Sequence, residues 1–147
     1  AIPAEAELHL YLADRSIHVT HLLRPALASG NVVVCERYTD STLAYQGYGR
    51  GLDLEFLRRL NETATGGLVP DLTLVLDLPA DTARLDEGRL DRLESEGREF
   101  LARVAAGFRV IASQEPQRVR LLDGSGDVAA VHKAMRAEVE GLLPLLR

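Results

Sequence analysis

The chain has 147 residues, 46% of them hydrophobic and 27% charged, with 22 acidic against 17 basic residues for a net charge of −5 at pH 7. Roughly two-thirds of the unfolded surface can be buried at this length, and the balanced composition excludes disordered, collagen-like and membrane-spanning classes. The acidic excess excludes a nucleic-acid backbone as the main partner, because phosphates call for a basic face.

Lys133 is the one lysine; every other basic residue is arginine, the side chain suited to bidentate phosphate and carboxylate binding. A single cysteine, Cys35, cannot form an internal disulfide and fits a reducing, cytoplasmic compartment. The opening Ala1-Ile2-Pro3 lacks a basic segment followed by an apolar one, so no secretory signal is expected there.

In chain order, Leu8, Tyr11, Leu12, Val19, Leu22, Leu23 and Ala26 recur at three and four, predicting an amphipathic helix from Glu5 to a stop near Gly30. Val32-Val33-Val34-Cys35 reads as a strand buried on both faces of a parallel sheet, with Cys35 a small core hydrophobe. A long polar loop, 36–51, follows. Asp53 opens a second helix with Phe56, Leu57, Leu60 and Ala64 inward, closed by Gly66-Gly67. Leu72 to Leu78 is a second buried strand stopped by Pro79. The charged stretch 81–96 has little apolar content. Phe100, Leu101, Val104, Phe108, Ile111 and Ala112 define a third helix, Arg118 to Leu122 a last strand, and Ser125 to Leu143 a closing helix with Val128, Val131, Met135, Val139 and Leu142 inward. Helices alternating with apolar strands predict a single α/β domain, 1–147, with a mostly parallel sheet. Three strands fall short of the usual 4 to 6 or so, so the sheet reads as incomplete.

Ligands of open α/β sheets bind at the carboxyl ends of the strands, which selects residues 36–51 and the segment after Asp77. Connections are typically only about 4 to 6 residues long, so a polar, aromatic and glycine-rich loop of this length points to function rather than to a plain crossover. Glu36-Arg37 places at a strand end a carboxylate able to hold a metal-bound water and a guanidinium able to bind phosphate; as a lone dipeptide it reads equally as a surface ion pair. Tyr11 and Arg15 lie four apart on one helix face, an aromatic plane beside a fork of donors that suits a planar base, although each alone reads as core tyrosine and surface arginine. Residues 81–96 bring Arg84, Arg89 and Arg92 around Gly88, either an exposed charged helix or a lid over phosphate. His18 and His21 lack a third ligand at metal-binding spacing and read as helix-surface residues; His9 and His132 have no evident partner.

Tyr11-Leu-Ala-Asp-Arg15, Arg24-Pro-Ala-Leu27, Glu36-Arg-Tyr-Thr-Asp-Ser-Thr-Leu-Ala-Tyr-Gln-Gly47, Gly49-Arg-Gly51, Pro70-Asp-Leu-Thr-Leu-Val-Leu-Asp77 and Leu90-Asp-Arg-Leu-Glu94 together resemble the thymidylate kinases over almost the whole chain, the 36–51 block being the most specific. The resemblance implies a P-loop kinase-like three-layer α/β/α fold and transfer of the ATP γ-phosphoryl group to dTMP with Mg²⁺, in a cytoplasmic homodimer without nucleic-acid or membrane partners. Carried over residue by residue, it implies that Tyr11 stacks on thymine, Arg15 hydrogen-bonds the base, Arg37 binds the acceptor phosphate, and Ser41, Thr42, Tyr45 and Gln46 line the nucleoside pocket, Tyr45 near the deoxyribose. Glu36 takes the metal-linked position through water, and Arg84, Arg89 and Arg92 fall in the lid as catalytic candidates. Such an arginine-dominated set suits a transfer that is mostly positioning and charge stabilisation.

Three departures stand out. Glu36 replaces the family's usual aspartate. Leu85-Asp86-Glu87 precedes Gly88 where the family's lid is richer in arginine. The string G-x-x-x-x-G-K-[ST], whose amides and lysine hold ATP phosphates, does not occur; Lys133 falls in the closing helix. The expectation is that the first two family strands and this loop precede Ala1 in roughly 50 to 70 residues. A related deoxynucleoside or nucleotide kinase and a non-catalytic nucleotide-binding fragment are the competing readings; Tyr45-Gln46-Gly47 and Leu90-Asp91-Arg92 argue against the first.

Overall fold

The computed structural model describes residues 2–78 and 97–142. The chain divides into two compact units, Ala1–Val69 and Pro70–Arg147.

In the first unit, the apolar spacing builds α1 (Ala4–His18), whose Leu8 and Leu12 are buried. The helix continues into a wider π segment, Val19–Leu23, where the Arg24 N–H reaches back five residues to the Val19 carbonyl, and then into α2 (Arg24–Ala28). Pro25 accounts for the widening: it has no N–H to donate and its ring collides with the carbonyl four residues earlier, and a π turn absorbs that mismatch. Val19 and Leu23 are buried, whereas Leu22 and Tyr11, members of the same apolar series, are exposed.

Val32–Cys35 is not a strand. Its backbone has no ladder, Val34 is 94% exposed and Cys35 is exposed. The physical reason is that a strand exists only through a neighbour's hydrogen bonds, and among the described residues no strand lies beside it. The expectation of Cys35 as a core residue fails with it.

Instead of an irregular loop, residues after Tyr38 wind into α3 (Thr39–Thr42) and a second π segment, Leu43–Gly49. The Arg50 N–H donates five residues back to the Tyr45 carbonyl at 3.0 Å, and Gly51 at φ +79° takes the chain out of the helix in a left-handed conformation that glycine adopts without strain. Asp53 caps α4 (Leu54–Thr65), its carboxylate accepting from the Phe56 N–H at 2.7 Å. Gly66, left-handed at φ +58°, ends it. The buried stripe is Leu57, Asn61 and Thr65. Phe56 is therefore turned outward, contrary to expectation, because its position one residue from Leu57 is about 100° around the helix from that stripe.

In the second unit β1 (Thr73–Asp77) and β2 (Val119–Asp123) pair in parallel, Thr73 opposite Val119 and Asp77 opposite Asp123. Their crossover contains α5 (Arg98–Gln114), which buries Phe100, Val104, Ile111 and Ala112. The closing α6 (Val128–Leu142) has no fully buried residue; Val128 and Val139, expected inward, are exposed. Two strands, rather than three, form the sheet among the described residues. The lid arginines Arg84, Arg89 and Arg92 lie outside the described residues.

Candidate active site

α1 brings Tyr11 and Arg15 to the first unit's polar face, and the segment from Glu36 to Arg50 supplies the rest. Arg15 is the hub. Its Nη1 donates to Thr42 Oγ1 at 2.7 Å and to Asn61 Oδ1 at 3.1 Å, and its Nη2 donates to the Tyr38 carbonyl at 3.1 Å. The guanidinium also lies over the Tyr38 ring, 5.6 Å from its centroid. Burial lowers the Arg15 pKa from its ordinary value, opposed by Tyr38, Cys35 and Asp14. A partly desolvated cation is tolerated here because three acceptors compensate it. These three bonds use three of the five guanidinium N–H groups; Nε–H and one Nη2 hydrogen are left for a ligand.

Tyr38 is braced in turn. Its hydroxyl donates to the Leu68 carbonyl at 3.1 Å, and burial raises the phenol's pKa above its ordinary value, opposed by Thr65 and Arg15.

Arg37 stands at the bend between the extended segment and α3 with φ +57°. A non-glycine residue there is uncommon and costs free energy. Its guanidinium is exposed and sits 5.0 Å from the centre of the Tyr45 ring. Glu36, immediately before it, is exposed. Next to this pair, burial raises the pKa of the Cys35 thiol, with Arg15 opposing and Glu36 assisting.

Of the residues anticipated from the sequence, the structure joins Arg15 to Thr42 and Arg37 to Tyr45. Ser41 is half-buried on α3. Thr42 is 1% exposed and faces Arg15. Gln46 is buried, and its Nε2 donates to Glu7 Oε1 at 3.3 Å. Tyr11 is 39% exposed, one helical turn before Arg15.

Two polar groups escaped the sequence reading. Glu7 is buried on α1 and its carboxylate receives Arg50 bidentately, Nε at 3.0 Å and Nη2 at 3.2 Å, besides Gln46. Asn61, on the inner stripe of α4, accepts from Arg15 and donates through Nδ2 to the Thr39 carbonyl at 3.2 Å. For Asn61 the available signal was its place on the inward stripe, four residues from Leu57; Glu7, next to Leu8 and about 100° from it around the helix, carried no such signal.

Among the described residues no three His, Cys, Asp or Glu side chains gather as a metal cage, and no helix is long and apolar enough to cross a membrane.

Residues 2–135 match the family model described as Thymidylate kinase. The thymidylate kinase of Synechococcus sp. (strain JA-2-3B'a(2-13)) is 55% identical over 140 residues, covering 95% of this chain and 68% of that protein. The Desulfovibrio desulfuricans thymidylate kinase is 48% identical, covering 97% of this chain and 70% of the relative. The crystal structure of thymidylate kinase from Ehrlichia chaffeensis superposes with a TM-score of 0.77 at 29% identity, over 95% of this chain and 66% of that one. The chain thus spans about two-thirds of the length of such relatives, and the P-loop kinase-like α/β fold anticipated from the sequence holds. It belongs to the thymidylate kinase family, enzymes that phosphorylate dTMP with ATP as phosphate donor.

Proposed function

We propose that this chain supplies the dTMP-binding side of that reaction, with residues 1–147 acting as one kinase domain. The observation that carries the reading is Arg15: a half-buried guanidinium, fixed by three acceptors, with donors remaining for a planar base. Tyr11, on the same helix and exposed, stacks on the thymine. Thr42 acts by holding Arg15, while Ser41, Tyr45 and Gln46 line the nucleoside pocket, Tyr45 near the deoxyribose. Arg37 receives the dTMP phosphate. The strained left-handed backbone fits that role, since strain of this kind concentrates where geometry is functional.

In the transfer, a dTMP phosphate oxygen attacks the ATP γ-phosphorus in line, the bond to the β-bridging oxygen breaks, and ADP departs with that oxygen's electron pair. Arg37 stabilises charge gathering on the transferring group, and Arg84, Arg89 and Arg92 belong to a lid over about 81–96. Mg²⁺ bound to nucleotide typically keeps several waters and needs only one or two carboxylates beside phosphate oxygens. The exposed Glu36 carboxylate fits as one such group, acting through water. When bound, Mg²⁺ offsets phosphate charge.

Exposed Leu10, Ile17 and Leu22 along the first helix suit a homodimer interface, and a lone, exposed thiol suits the cytoplasm. Titration calorimetry with dTMP, and a phosphorylation assay comparing dTMP, thymidine, dUMP and dCMP, test the reading. Binding and preferential use of dTMP are expected. Absence of dTMP binding, or preference for thymidine, overturns it.

A further inference from the structure

α4 presents Leu57, Asn61 and Thr65 on its inward stripe, and Asn61 is only 5% exposed. A carboxamide there is costly unless both its ends are satisfied. Both are: Oδ1 accepts from Arg15 Nη1 at 3.1 Å and Nδ2 donates to the Thr39 carbonyl at 3.2 Å. The amide's orientation is fixed by its partners, since a guanidinium can only donate and a carbonyl can only accept. Asn61 therefore ties together α1 through Arg15, the start of α3 through Thr39, and α4 itself. Arg15 Nη1 is held between Asn61 and Thr42, so its plane cannot rotate without losing a bond to one of them.

We propose that Asn61 is a positioning residue for pyrimidine recognition: it sets the plane of the Arg15 guanidinium so that its remaining N–H groups meet the base carbonyl at position 4. The proposal rests on the reading that Arg15 hydrogen-bonds the base. That carbonyl is an acceptor in dTMP, whereas dCMP carries an amino donor there, so a fixed guanidinium favours dTMP and a loosened one loses much of that preference. Asn61 touches no substrate and acts through Arg15 alone.

Four variants of the chain, Asn61→Leu, Asn61→Asp, Arg15→Ala and the double Asn61→Leu/Arg15→Ala, are titrated with dTMP and dCMP by calorimetry, and their melting temperatures are recorded. Hydrogen bonds to charged groups are worth enough that Asn61→Leu is expected to weaken dTMP binding about tenfold, with less effect on dCMP, so the preference shrinks. Asn61→Asp keeps an acceptor for Arg15 but sets an oxygen against the Thr39 carbonyl. It is expected to melt lower than the parent yet keep the preference within about twofold; loss of preference in Asn61→Leu but not in the likewise destabilised Asn61→Asp is a pattern that general destabilisation would not produce. In the Arg15→Ala background, Asn61→Leu is expected to change the preference no further. If Asn61→Leu keeps the parent's preference while Arg15→Ala abolishes it, the positioning role falls and the base-binding role of Arg15 stands. If Arg15→Ala also keeps it, or the parent shows no preference, the base-binding reading falls and the proposal with it.

Discussion

Arg37 carries two features that meet at one position: a left-handed backbone and an exposed guanidinium beside an aromatic ring. If Arg37 takes the proposed role, Arg37→Ala is expected to lower turnover by about 10²–10³-fold with little change in melting temperature, as loss of charge stabilisation at the transferring group would; steady-state kinetics with dTMP and ATP check this. Tyr11→Ala is expected to weaken dTMP binding roughly tenfold through lost stacking and to leave ATP affinity alone, which paired titrations read directly. Cys35 gives a pH signature. Partial desolvation holds its thiol above the ordinary value although the residue as a whole is exposed, so less of it is thiolate at pH 8 than in a free cysteine. Alkylation of the folded chain should therefore go to completion, since the residue is exposed, but with a rate midpoint shifted to higher pH than that of a model thiol. Tyr11, Arg15 and Arg37 were candidates in the sequence by residue type and order alone. Sequence could not reveal how they are held, because the acceptors of Arg15 come from positions 38, 42 and 61 and their convergence is a product of the fold.

Elements with local punctuation were readable and those with distant partners were not. α4 starts at a capping aspartate and ends at a left-handed glycine, both signals contained within a few residues of the boundary. The Val32–Cys35 stretch had the composition of a strand, but composition supplies no partner. Neither π segment was anticipated, since apolar spacing of three and four describes an α-helix and does not register one additional residue in a turn. The buried Glu7 is what connects α1 to the second π segment, receiving Arg50 and Gln46 together. Glu7→Ala is expected to destabilise the first unit by about 3 kcal/mol, because the largely desolvated Arg50 guanidinium loses the carboxylate it meets at 3.0 Å. Urea titration measures the loss, and adding Arg50→Ala to it should cost much less than Arg50→Ala alone.

At the scale of the whole molecule, alternation of helices and apolar strands was enough to establish an α/β protein with parallel pairing, and β1 beside β2 bears that out. Which helical faces are covered was less legible. Periodicity identifies an apolar stripe but not the surface that meets it, and so Val128, Val139 and Phe56 point outward where the pattern had them inside. The exposed leucines and isoleucine along the first helix, each more than half accessible, carry the expectation for assembly. Sedimentation velocity of the 16.1 kDa chain should show a dimer that Leu10→Asp combined with Ile17→Asp converts to monomer without altering the helical circular-dichroism signal; an unchanged dimer would place the interface elsewhere.

The second π segment also makes the count of residues, apart from their identity, a carrier of information. An α-helical turn holds about 3.6 residues and a π turn more, so between Leu43 and Gly49 the chain contains a surplus that an ordinary helix would not hold. Deleting one residue there would leave a perfectly acceptable helix. Everything on one side of it would nonetheless be turned by about 100° against everything on the other, and Tyr45 and Arg50 could no longer keep both their appointments, one with Arg37 and one with Glu7. The spacing between the block's two anchor points is thus a dimension of the site, as exacting as any side chain in it.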